Sequence, residues 1–180
     1  MTDDSDCGGA MIVRLSQKLT ARIKAGTLET SPLDENPLVD WSAGLFLVER
    51  SQYILVTNTK SLYSTVLPGK GVTDGKTFVE RALSGLREFM DADGQEGVYE
   101  RLVAPVSGAV QFAKALNRSV TGSMNDMTKH AAFWLAERGV LPVEIGSRLK
   151  EIPMSALKHD GSTHGFPRDV FAKMVNSAGS

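Results

Sequence analysis

Residues 43–69 read AGLFLVERSQYILVTNTKSLYSTVLPG. β-Branched, aromatic and other apolar residues dominate three short runs, Gly44–Glu49, Tyr53–Asn58 and Leu62–Leu67, separated by the turn-prone tracts RSQ and NTKS. Runs of this length and composition, bounded by polar turn residues, read as strands. Tight connections place consecutive strands side by side in antiparallel sense. The stretch therefore predicts an antiparallel meander of about three strands.

Working outward, MIVRLS (11–16) has strand character and GAVQFAKAL (108–116) alternates apolar and polar residues, so one or two further strands join the meander. Ser16 is placed to cap a short helix, QKLTARIKA, closed by Gly26, with Leu15, Leu19 and Ile23 as its buried stripe. TLETSPLDENPLVDW (27–41) is a proline-punctuated connection. Asp74 caps a long helix whose apolar residues Phe78, Val79, Ala82, Leu83, Leu86, Phe89 and Met90 recur at helical spacing. A shorter helix, QEGVYERLV, stops before Pro105, and a second long helix runs through 119–138. In the tail, VEIGSRLKEI fits either helix or strand, and PRDVFAKMV reads as a last short helix with Pro167 in its first turn. Regular βαβ alternation is not visible, so the expected class is α+β: the meander and its extra strands packed against two long helices and several short ones.

The chain has 180 residues, 42% hydrophobic and 23% charged, which suits one soluble domain. MTDDSDCGGA (1–10) lacks an apolar pattern and is expected to be a disordered leader, with Met11 an alternative start. Residues 11–180 form the domain, of which 11–138 is the core and 139–180 an extension packed on it. The net charge is −1, and Asp3, Asp4 and Asp6 precede any basic residue, so the folded part is close to neutral. That disfavours a dedicated phosphate-backbone binder. One local basic cluster, Arg14, Lys18, Arg22 and Lys24, keeps nucleic acid open as a partner, although an exposed helix face explains it as simply. Cys7 stands alone, which rules out an internal disulfide and a cysteine-based zinc site. With no apolar run of membrane-spanning length and no signal region, a cytoplasmic protein is expected.

The richest polar stretch is NRSVTGSMNDMTKHAAFW (117–134). On a helix, Val120, Met124, Met127, Ala131 and Leu135 form a core stripe, while Ser119, Ser123, Asp126 and His130 form a second, polar one. Serine, aspartate and histidine suggest nucleophilic catalysis, but Asp126 falls between Ser123 and His130 along the helix, whereas a working triad has histidine in the middle. The simpler reading has Ser119 capping the helix, Asp126 pairing with His130, and Ser123 allowing another element to approach. The free N–H groups of the helix start, beside Asn117, Arg118, Thr121 and Gly122, remain a candidate anion site. His159 and His164 in KHDGSTHG lack metal-ligand spacing, and LPGKGVTDGKT lacks the spacing of a phosphate-binding loop.

MIVRLSQKL, NPLVDW, YILVTNTKSLYSTVLPG and above all NRSVTGSMNDM resemble a bacterial and archaeal family known only as a domain of unknown function. The resemblance runs from about Met11 to Leu135 and rests on N-P-x-x-D-W, Y-S-x-V-L and S-V-x-G-S-[LM]-N-D-[ML] motifs. Its motif residues are Asn36, Pro37, Asp40, Trp41, Tyr63, Ser64, Arg118, Ser119, Gly122, Ser123, Asn125 and Asp126. They are more polar than a core requires, so the NPLVDW loop and the helix start are expected to converge on one pocket. The candidate ligand-binding set is Asn36, Asp40, Trp41, Tyr63, Ser64, Asn117, Arg118, Ser119, Ser123, Asn125, Asp126 and His130. The leading expectation is a non-enzymatic binding or regulatory module for a small anion, peptide or protein partner, without metal or cofactor. The alternative is a hydrolase or nuclease-like enzyme using Asp126, His130 and Asp40 as acid–base or metal groups.

Overall fold

The computed structural model describes residues 9–180, so the expected leader lies outside the described residues as far as residue 8. The described elements form an α+β fold on one five-stranded mixed sheet. The strands are β1 (Met11–Leu15), β2 (Asp40–Val48), β3 (Ser51–Asn58), β4 (Ser64–Pro68) and β5 (Val110–Lys114), in the spatial order β4-β3-β2-β1-β5. The meander β2-β3-β4 is antiparallel, with Val48 opposite Ser51 across a two-residue turn in which Glu49 takes a positive φ of 54°. β1 lies parallel to β2 on one side and to β5 on the other. Asp40 and Trp41, expected in a connection, are instead the first two residues of β2.

Alternation along the strands gives the sheet two buried faces. The first carries Met11, Val13, Leu15, Trp41, Ala43, Ile54, Val56 and Leu67. It is covered by α1 (Gln17–Arg22), by the apolar stripe of α2 (Gly75–Ala92), and by a helical run that begins with α3 (Glu96–Val98) and continues to Val106. Ser16 caps α1 and Asp74 caps α2, each accepting a backbone N–H three residues on. The second face carries Leu55 and Val66 and is covered by α4 (Arg118–Leu135) and α5 (Pro142–Leu149) through Met127, Ala131, Ile145 and Leu149. The ambiguous VEIGSRLKEI segment is thus helical. Gly146 lets α5 lie against Phe89 of α2, because a Cβ there would meet the ring at 2.5 Å. The last helix, α6 (Pro167–Ala178), places Phe171 flat against Tyr63, ring centroids 4.0 Å apart.

Through the second face runs a buried polar row. Ladder pairing sets Arg14, Ser42, Thr57 and Ser64 side by side on β1, β2, β3 and β4, each no more than 3% exposed. Buried polar groups are tolerated when they are hydrogen-bonded. Ser42 bonds to Thr59 at 2.8 Å, while Ser64 Oγ lies 2.5 Å from Thr57 Oγ1 and 2.7 Å from the Leu62 carbonyl. Among the described residues, no buried side-chain nitrogen or oxygen lacks a partner.

Candidate functional site

Arg14 anchors the row. Its Nε and Nη2 donate to the two carboxylate oxygens of Asp40 at 2.9 and 2.7 Å, a bidentate pair that is 1% and 0% exposed. The remaining guanidinium protons reach the carbonyls of Ser31, Pro32 and Lys114. Asp40 Oδ2 also accepts the Asp34 N–H. The pair thereby ties the proline-rich connection and the end of β5 to the centre of the sheet. The basic cluster read from the sequence is dispersed accordingly. Arg14 is buried, Arg22 donates to the Val72 carbonyl, and Lys18 and Lys24 are the exposed members.

The loop motif residues have partners of the same structural kind. Asn36 accepts the Leu38 N–H at the start of a 3-10 turn, and Trp41 is fully buried with its Nε1 donating to the Leu38 carbonyl. Tyr63 donates to Asp93 at 2.6 Å, and Lys150 also binds Asp93. Burial, the Asp93 hydrogen bond and the Asp93 charge together push the Tyr63 phenol far above its ordinary range. The connection from β3 to β4 is locked by Asn58, whose side chain accepts from Ser61 and donates to the Pro37 and Asp40 carbonyls. Much of the motif polarity is therefore spent on fastening irregular backbone to the sheet.

On α4 the cap is Asn117, whose Oδ1 accepts the Val120 N–H at 2.9 Å. Ser119, expected to be the cap, sits two residues further in, within the first turn, exposed, and receives Ser123 Oγ on its carbonyl. The helix ends at Leu135, short of the expected Arg138. Asp126 pairs with Lys129 at 3.9 Å rather than with His130, and the His130 ring lies against Trp134. Arg118, Ser119, Gly122, Ser123 and Asp126 line an open groove against residues 155–163, and a smaller neighbouring groove adds His130 and His164. Neither groove includes Asn36, Asp40, Trp41, Tyr63 or Ser64. The expected convergence of the two motif sets on one pocket does not occur in these clefts. The acid–base set is also divided: Asp40 is sealed behind Arg14, while Asp126 and His130 are at the surface. Among the described residues, no group of three or more His, Cys, Asp or Glu side chains could hold a metal ion.

A cleft more enclosed than either groove lies elsewhere on α4. It occupies about 760 Å³ between the helix and the second face of the sheet. Val120, Thr121, Met124, Asn125 and Thr128 form its roof, with Ser42, Gly44 and Phe46 of β2 beneath them. A Cβ at Gly44 would stand in ordinary contact with the Met124 methyl at 3.5 Å and Ser16 Oγ at 3.7 Å, so the bare backbone leaves that volume to the cleft. Gln17 and Lys18 from α1, Gln52 from β3 and Ala115 after β5 complete the wall. This is the carboxyl end of the parallel strands β1 and β5. After β1 the chain crosses to the first face as α1, and after β5 it crosses to the second face as α4. In open α/β sheets, a crevice at such a divergence of adjacent connections is the usual ligand position. Of these residues, Asn125 was in the candidate set and Lys18 in the basic cluster. Gly44 was read only as the start of a strand, although glycine inside a strand often marks a close approach by another group.

Residues 12–170 match the family described as a domain of unknown function, DUF6933. The chain belongs to this family. No curated protein and no solved structure matches it. In this DUF6933 domain no helix among the described residues is long and apolar enough to cross a membrane.

Proposed function

We propose that this DUF6933 domain is a non-enzymatic binding module whose small-molecule ligand enters the cleft between α4 and the sheet. The observation that carries the reading is the position of that cleft, at the carboxyl ends of β1 and β5 where their connections leave on opposite faces. Its volume of about 760 Å³ and its mixture of apolar walls with a few polar side chains match those of ordinary ligand pockets. The hydrolase or nuclease-like alternative has less support, because Asp40 is sealed behind Arg14, apart from Asp126 and His130, which share a surface groove on α4.

A fragment screen followed by amide chemical-shift mapping tests the proposal. Hits should perturb Gly44, Met124 and Asn125, and they should be lost in Gly44→Leu, which fills the floor, and in Val120→Trp, which fills the roof. Hits that map to the open groove of Arg118 and Lys158, or that survive both fillings, would refute it.

A further inference from the structure

We infer that the cleft selects an amphipathic organic monoanion, an apolar body carrying one carboxylate-like group. This inference rests on the reading of the cleft as the ligand site. Gly44, Phe46, Val120 and Met124 supply apolar surface that excludes water from a hydrocarbon or aromatic body. Lys70, Glu80, Arg81 and Glu88 line the largely apolar groove beside β4, and Asp126 lines both grooves on the other side of α4. The cleft under α4 differs from these, having Arg14 and Lys18 in its wall and no carboxylate.

The two cations are not equivalent. Arg14 spends its guanidinium protons on Asp40 and three backbone carbonyls, so it forms a neutralised part of the wall. Lys18 is exposed and has no ion-pair or hydrogen-bond partner among the described residues. Gln17, Gln52 and Asn125 likewise have side-chain amides without a hydrogen-bond partner among the described residues. One free ammonium flanked by neutral donors suits a single negative charge. A cationic ligand would meet Lys18 with no acid to offset the repulsion, and a multiply charged phosphate would find too few cations to replace its hydration.

Titration calorimetry on the full chain at low ionic strength tests this with decanoate and decylammonium below their micelle concentrations and 1-decanol below its solubility limit. Decanoate should bind roughly three- to fivefold more tightly than decanol, the upper part of the range expected for one solvent-exposed ion pair, and decylammonium should bind weakest. Lys18→Gln should bring decanoate and decanol to within about twofold while leaving decanol affinity unchanged. Gly44→Leu should remove binding of all three. If decanol or decylammonium binds as well as decanoate, and Gly44→Leu still abolishes binding, charge selection is overturned and the cleft stands. If none of the three binds, or if Gly44→Leu has no effect, the cleft itself is overturned as the site, and the charge selection with it.

Discussion

Replacing Asp40 by asparagine alters one charge at the centre of the sheet while keeping the side chain's shape. In the native protein the carboxylate accepts Nε and Nη2 of Arg14 and the Asp34 N–H. An asparagine whose oxygen takes the place of Oδ2 keeps two of those contacts but points its NH2 at the Arg14 Nε–H, donor against donor. The guanidinium is 1% exposed, so solvent cannot take over the lost compensation. Breaking a buried pair from one side typically costs about 3–5 kcal/mol, a large share of the roughly 5–15 kcal/mol that holds a domain together. Urea unfolding should show a midpoint shift of that size with an unchanged slope. Arg14→Met/Asp40→Leu should recover only part of the loss, because the Ser31, Pro32 and Lys114 carbonyls remain without their donor. A loss below about 1 kcal/mol for Asp40→Asn, the value of a solvated surface pair, would refute the reasoning.

Met127→Ala should destabilise by about 2–5 kcal/mol in the same assay, since Met127 is fully buried against Leu55 and Val66. Gly146→Ala should destabilise by about 1–3 kcal/mol although alanine is the better helix former, because the Cβ collides with the Phe89 ring. Tyr63→Phe should flatten the alkaline limb of a stability–pH profile. A phenol whose folded pKa is raised contributes stability that is complete below its unfolded value near about 10 and is lost as pH climbs beyond it, so removing the phenol removes that slope. Oligonucleotide binding, measured by fluorescence anisotropy, should be no weaker in Lys24→Gln than in the native protein. A loss on this substitution would restore the basic cluster as an interface.

Local signals carried the fold a long way. The three runs of 43–69 formed the meander, Ser16 and Asp74 capped their helices, and the 78–90 stripe faced the sheet. Each is announced by residues close together in sequence, whose periodic pattern or cap position can be read directly. Parallel pairing of β1 with β5 joins segments about a hundred residues apart, and nothing in either segment specifies the other. Asp40 read as a loop residue because its neutralising partner, Arg14, stands 26 positions upstream. Asn117 and Ser119 are both good cap residues, and only the backbone conformation at Asn117 decides between them. The cleft was least legible. Its lining brings Gly44, Met124 and Lys18 together from three elements, and the distinctive feature of Gly44 is a side chain it does not have.

The late arrival of β5 has a consequence for how the chain is made. β1 leaves the ribosome before the other described strands, yet its outer edge is closed only when Val110–Lys114 emerges, and the Arg14–Lys114 contact spans 100 residues. At about 5–20 residues per second of synthesis, that edge stands open for roughly 5–20 s. During this interval Met11, Ile12, Val13 and Leu15 present an apolar strand with unpaired backbone groups, the kind of surface that captures other nascent chains. Sequence-distant pairing of this type also slows folding. Overexpression yield should therefore respond to translation rate and chaperone supply, and β1 is where misassembly would begin.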